Sequence, residues 1–247
     1  HQAIKRADLI LAVCPLIAER ASLSVDSYRV HLTPDVAFDP VVSSGQAIEN
    51  LHDLCPHPGP LSLYVGNLEP YQGIDLLLEA MTQIEPDKRG SLLIIGGTAD
   101  SIAVYQVKTE HLGLQGHVRF LGQRPLNALH SYLQQADILC SPRLKGVNTP
   151  MKIYSYMLSG RAILATDISS HSQVLDNSRA LLVDADPDKL SEGWQRLIAS
   201  PELREVLGTR ASSHAAMHYS EKSFYDRLSQ AYAVLDDQTL ALTGISA

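Results

Sequence analysis

The segment Ser141-Pro-Arg-Leu-Lys-Gly-Val-Asn-Thr-Pro-Met-Lys-Ile-Tyr-Ser-Tyr-Met-Leu-Ser-Gly160 lies between two apolar runs, Ala136-Asp-Ile-Leu-Cys140 and Arg161-Ala-Ile-Leu-Ala-Thr166. Each run reads as a short buried strand, and the segment between them carries a helix with a start signal. Thr149 is the expected N-cap, its hydroxyl accepting from free N–H groups of the first turn. Pro150 is expected at the first helical position, where its missing N–H costs nothing. A helix start of this kind, with the positive end of the dipole and unpaired N–H groups, attracts an anion. Arg143, Lys145 and Lys152 surround it in the sequence. A carboxylate or a phosphate fits such a place, and a diphosphate fits it best.

On either side of this unit the same alternation continues. Strands are expected at Leu61–Gly66, Ser91–Ile95, Val118–Leu121, Ile138–Ser141, Ala162–Ala165 and Ala180–Val183. Helices are expected at Ile74–Ile84, Ser101–Leu112, Pro125–Gln135, near Ser172, at Pro187–Ala199, Pro201–His218 and Glu221–Leu235. Short strands that are apolar on both faces, alternating with amphipathic helices, indicate a parallel sheet covered on both sides. The fold class is therefore α/β, a doubly wound parallel sheet with right-handed crossovers. In such sheets ligands bind beyond the carboxyl ends of the strands. The loops at Gly66, Gly96, Gly122 and Pro142 all fall at that edge.

The N-terminal region differs. His1–Ala7 reads as the tail of a helix, Asp8–Cys14 as a strand, Pro15–Ala21 as a short helix and Tyr28–Leu32 as a strand. Residues 1–32 look like the end of a second domain. Thr33–Pro60, rich in proline and glycine, reads as a linker with a short helix at Gln46–Leu54. The remaining boundaries are a main domain over 61–218 and a terminal helix and tail over 219–247. In that last helix Ser220 is the expected N-cap, and Phe224, Leu228, Tyr232 and Leu235 form an apolar stripe.

Composition narrows the function classes. The chain has 247 residues, a net charge of −7 and 45% hydrophobic residues. This is an ordinary globular balance, and the acidic total argues against nucleic acid or an anionic membrane surface as a non-specific partner. Cys14, Cys55 and Cys140 are scattered and form no C-x-x-C pair, which disfavours disulfides and zinc and fits a reducing cytosol. No run approaches a membrane span. The loop Gly66-Asn-Leu-Glu-Pro-Tyr-Gln-Gly73 is neither G-x-G-x-x-G nor a P-loop. The histidines show no ligand spacing, and no metal site is expected.

Five stretches taken together carry a family resemblance: Leu63–Leu78, Leu93–Gly97, Val118–Gly122, Ala136–Pro142 and Asn148–Thr166. They resemble the C-terminal half of a GT-B glycosyltransferase of retaining family 4, also called group 1. Arg6–Cys14 is similar to the last strand of that family's acceptor domain, and His31–Phe38 to its interdomain linker. The resemblance implies two Rossmann-like domains around a cleft. It makes this chain the half that holds a nucleotide-sugar donor, UDP- or GDP-linked, with the tail of an acceptor domain. It implies transfer with retention of configuration, without a metal, to a glycan, lipid or small-molecule acceptor that the residues do not identify. It leaves room for cytoplasmic work at the inner membrane face through the acceptor domain. Its last helix is expected to cross back onto the N-terminal domain.

Carried over by position, the resemblance assigns the diphosphate to Gly66, Asn67, Arg143, Lys145 and the N–H groups after Thr149. Arg143 and Lys145 are the catalytic candidates, because they would stabilise charge growing on the leaving diphosphate. The family's first loop is usually basic, whereas Asn67 and Gln72 bring no charge; Arg143, Lys145 and Lys152 are positioned to compensate. Asn148 belongs to the same helix start. The Gly122–Arg124 loop is expected to meet the base through backbone groups. The family's paired glutamates fall on Val147 and Ser155; Ser155 retains a weak means of holding ribose, and Val147 has none of the missing chemistry. Two alternatives remain open: a nucleotide-binding module without catalysis, and a GT-B nucleotide-sugar epimerase.

Overall fold

The computed structural model describes residues 2–37 and 48–243, with the backbone alone for 236–243. The chain opens with α1 (Gln2–Arg6), β1 (Ile10–Ala12), α2 (Pro15–Ser22) and β2 (Val30–Leu32). β1 and β2 pair in parallel as a separate two-stranded sheet. There follow β3 (Leu61–Val65), α3 (Ile74–Thr82), β4 (Ser91–Ile95), α4 (Ala99–His111), β5 (Val118–Gly122) and α5 (Leu129–Gln135). The second half runs β6 (Ile138–Ser141), α6 (Met151–Leu158), β7 (Ala162–Thr166), α7 (Ser169–Ser172) and β8 (Leu181–Val183). It closes with α8 (Pro187–Ala199), α9 (Pro201–His218) and α10 (Glu221–Thr243).

β3 to β8 form one parallel sheet of six strands in the order β5-β4-β3-β6-β7-β8. The order runs outward one way from β3 and the other way from β6, so the connections diverge between these two central strands. That divergence opens a crevice at their carboxyl ends. Every strand of this sheet alternates between two cores. Leu61 and Leu63, Leu93 and Ile95, Leu139, and Ile163 and Ala165 share one core with α6 and α9 residues such as Tyr156 and Ala211. Tyr64, Leu92 and Ile94, Ile138 and Cys140, and Ala162 and Leu164 share the other with Leu77, Leu190 and Trp194 of α3 and α8. The period of two, with both phases apolar, makes the sheet central and covers it on both faces. Among the buried polar residues of the strands, Ser62 is satisfied: it accepts from Trp194 Nε1 at 2.8 Å.

Several boundaries differ from expectation. The linker does not extend to residue 60. Leu51 is fully buried in the first core, and its N–H donates to Gln135 Oε1 at 2.7 Å. Ile48, Leu54 and Cys55 pack against the same core, so 48–60 belongs to the main unit. The helix expected at Gln46–Leu54 is a 3-10 turn over Leu51–Leu54, begun by Asn50, which accepts from His52 N–H; Gln46 and Ala47 lie outside the described residues, as does Phe38. α4 starts at Ala99 because Thr98 and Ser101 form a reciprocal capping box. The segment from Pro125 begins as a 3-10 turn over Leu126–Ala128 before α5. α10 continues to Thr243. Ser220 caps it, accepting from Ser223 N–H at 3.3 Å, and α10 touches β2. Among its described side chains Ala231 is buried; Tyr232, expected in the apolar stripe, is 52% exposed.

Candidate functional site

The two loops that leave β3 and β6 meet at the crevice and are stitched together. Gly73 has φ 77°, and a side chain there would place its Cβ 1.9 Å from the Pro142 carbonyl oxygen. Only glycine permits this approach. The Leu144 N–H donates to the Tyr71 carbonyl at 2.9 Å, and the Arg143 guanidinium lies 5.4 Å from the centroid of the Tyr71 ring. The third component arrives from α6. Lys152 Nζ lies 4.0 Å from the Tyr64 ring centroid and donates to Gln72 Oε1 at 3.4 Å. It borders Gly66 closely: a Cβ on Gly66 would lie 2.9 Å from Lys152 Nζ and 2.8 Å from the Tyr64 hydroxyl. Tyr64 in turn donates to the Asn67 carbonyl at 2.7 Å.

Arg143 is 8% exposed and held by its own loop. Its Nε donates to the Lys145 carbonyl at 2.8 Å, and its two terminal nitrogens reach the carbonyl and the Oδ1 of Asn148 at 3.4 and 3.5 Å. Neither Arg143 nor Lys152 has an ion-pair partner among the described residues. Burial, reinforced by the Arg143 charge, pushes the Lys152 amine down to about 7. Two neighbouring cationic groups without a counterion, beside the N-terminus of α6, make a place that an anion would stabilise.

The sequence-predicted residues divide into those brought to this place and those that are not. Gly66, Gln72, Arg143, Asn148 and Lys152 converge as described, and the exposed Asn67 stands at their edge. Lys145 contributes its carbonyl to Arg143 while its side chain stays exposed. Gly122 holds the neighbouring loop, its carbonyl accepting from Gly96 N–H at 2.8 Å. Arg124 is engaged elsewhere, paired with Glu49 at 2.9 Å, which leaves that loop its backbone groups. Ser155 is buried, 4% exposed. The expected helix start is corrected. α6 begins at Met151, and its N-cap is Pro150, extended at φ −64° and ψ 129°, with no side-chain cap. Thr149 points inward, its hydroxyl buried without a hydrogen-bond partner. Because Pro150 is itself extended, the helix starts one residue later than the Thr-Pro pair suggests.

Tyr64 and Tyr71 were not singled out in the sequence. Tyr71 had a signal, an aromatic residue inside the Gly66–Gly73 loop. Tyr64 reads as an ordinary strand residue, and its role depends on where Lys152 arrives. Among the described residues no cluster of His, Cys, Asp and Glu is placed to hold a metal, and no helix is long and apolar enough to cross a membrane. All three cysteines are free.

The profile of the family described as Glycosyl transferases group 1 matches residues 54–214. The chain is 31% identical over 161 residues to the phosphatidyl-myo-inositol mannosyltransferase of Mycobacterium tuberculosis, covering 61% of this chain and 41% of the relative. It is 28% identical over 161 residues to the D-inositol 3-phosphate glycosyltransferase of Corynebacterium diphtheriae, covering 62% and 38%. The chain thus spans less than half the length of these curated relatives. Among solved structures, sucrose-phosphate synthase from Thermosynechococcus elongatus superposes with a TM-score of 0.78 at 23% identity, covering 96% of this chain and 60% of that one. HepE of Anabaena in complex with UDP-glucose also gives 0.78, at 15% identity, covering 95% and 65%. These likenesses establish the fold as that of the GT-B glycosyltransferases.

Proposed function

Because the chain belongs to the group 1 glycosyl transferases, we propose that its crevice between β3 and β6 holds the diphosphate of a nucleotide-sugar donor during retaining glycosyl transfer. The observation that carries this reading is the pair Arg143 and Lys152, two adjacent cationic groups with no carboxylate partner, at the sheet's point of divergence. As the bond from sugar to diphosphate breaks, negative charge grows on the leaving phosphate. Donors already fixed around that position stabilise the charge without reorganising. Arg143 offers a planar fork to two phosphate oxygens, and Lys152 a point charge. The first-turn N–H groups of α6 complete the set. No metal has a role in this reading. The structural neighbour with UDP-glucose supports a uridine donor ahead of a guanosine one. The acceptor is assigned to the part of the longer relatives that this chain does not span.

A second reading, a binding module without turnover, is favoured by Val147. It stands where the family has a glutamate, and its carbonyl is committed to Gln173 Nε2 at 3.1 Å. Calorimetric titration of the chain with UDP, GDP and ADP, alongside Arg143→Ala, tests the site. Selective binding of one diphosphate, weakened about tenfold or more by the variant, is expected from loss of a charged hydrogen bond. Absence of binding by a folded chain overturns it. Donor consumption by the full-length protein then separates transfer from mere binding.

A further inference from the structure

Beneath the Arg143 loop lies a closed hydrogen-bond network that the donor site itself does not use. His171 is fully buried on α7. Its Nδ1 lies 2.8 Å from the Thr166 carbonyl, which can only accept, so Nδ1 carries the proton. Its Nε2 is then an acceptor, and takes the Ser141 hydroxyl proton at 3.0 Å. The Thr166 hydroxyl donates to the Arg143 carbonyl. Ser141 and Thr166 are both fully buried and end β6 and β7. Every donor direction is therefore fixed. Burial, with the nearby charges of Lys152 and Arg143, holds the His171 ring down to about 4, so it stays neutral and keeps this tautomer at ordinary pH.

We propose that His171 and Thr166 are positioning residues that clamp the Arg143 main chain and thereby aim its guanidinium along Tyr71 into the crevice. Ser141 and the Thr166 carbonyl fix the imidazole; the imidazole packs against Thr166; Thr166 holds the carbonyl of the residue whose side chain bears the charge. The role in donor binding rests on the function proposed above, whereas the clamp itself is a property of the empty protein.

The test uses Thr166→Val, which removes the hydroxyl at nearly constant shape, and Thr166→Ser, which keeps it. In the unliganded chain, 15N NMR should show His171 with Nδ1 protonated from pH 5 to 8. The Arg143 Nε–H, protected by the Lys145 carbonyl, should exchange about tenfold faster in Thr166→Val and return to the original rate in Thr166→Ser, the change expected from losing about one hydrogen bond. An unchanged Arg143 Nε–H in Thr166→Val overturns the clamp whether or not a nucleotide binds. Titration with UDP adds the link to the site. Thr166→Val should weaken binding about tenfold in the parent and not at all in an Arg143→Ala background. Equal weakening in both backgrounds overturns the inference while leaving the donor site standing. A parent chain that does not bind UDP counts against the function and not against the clamp.

Discussion

Raising the pH from 7 to 9 is the perturbation most directed at Lys152. Burial and the Arg143 charge both disfavour its protonated form and push the amine down to about 7. A diphosphate beside it supplies the missing counter-charge, and the amine then moves back toward the ordinary lysine value of about 10.4. The full return would be about three pH units. Each unit is worth about 1.4 kcal/mol of coupling between proton and ligand. The residue is only partly buried, so solvent screening lowers the usable shift to about one or two units. The dissociation constant for UDP is therefore expected to rise about fivefold to twenty-five-fold between pH 7 and 9, and to be nearly flat below 7, apart from phosphate protonation near 6. Binding should also draw protons from the buffer, about 0.4–0.5 per site at pH 7 and about 0.4–0.8 at pH 8. Calorimetry in two buffers of different ionisation enthalpy reads this number directly. The unliganded chain should show the opposite trend. A lysine with a lowered folded value binds fewer protons folded than unfolded, so stability rises with pH between about 7 and 10.5. Lys152→Met should abolish both effects. Binding of UDP with no proton uptake and a flat affinity from pH 7 to 9 would refute the placement of Lys152 at the diphosphate.

Two further expectations concern the walls of the site. Gly73→Ala forces a Cβ to within 1.9 Å of the Pro142 carbonyl at φ 77°; a loss of about 2–4 kcal/mol by urea denaturation is expected, and unchanged stability would contradict the stitched loops. Gln72→Lys alone would set a second ammonium where Lys152 Nζ lies 3.4 Å from Gln72 Oε1, lowering thermal stability. Combined with Lys152→Met it should restore the UDP affinity that Lys152→Met loses, and failure to do so would show that the charge cannot act from the loop.

The sheet was readable because its physics is local and periodic. Runs such as Leu61–Val65 and Ile138–Ser141 are apolar in both phases, and that alone calls for cover on both faces; all six strands of the main sheet appear where the alternation places them. The helix boundaries were less readable where a side chain competes for the backbone. Thr98 could be recognised as a cap only with its partner Ser101 two positions inside α4. Thr149 reads as a cap and is not one, because Pro150 is itself extended and takes the cap position while the Thr149 hydroxyl is buried. The linker failed for a different reason. Proline and glycine report backbone freedom, whereas Leu51 is held by a core whose other members are far away in the chain.

The site was legible in kind and only partly in detail, and the cause is geometric. A loop scanned for charge shows Asn67 and Gln72 and appears neutral. The charge is delivered across the crevice, from one turn into α6, where Lys152 reaches Gln72 and lies over Tyr64. Such an arrangement separates two roles that one basic loop residue would combine. In the proposed donor site the loop glutamine orients, and the helix lysine would carry a proton whose presence depends on the ligand. An amine held near neutrality does not repel Arg143 permanently in the empty site, so the two nitrogen groups can be packed close together without a carboxylate between them. A carboxylate there would relieve the empty site and then oppose the diphosphate. In the proposed donor site an arriving diphosphate supplies the counter-charge that no carboxylate provides, and the expected pH dependence of binding follows from that.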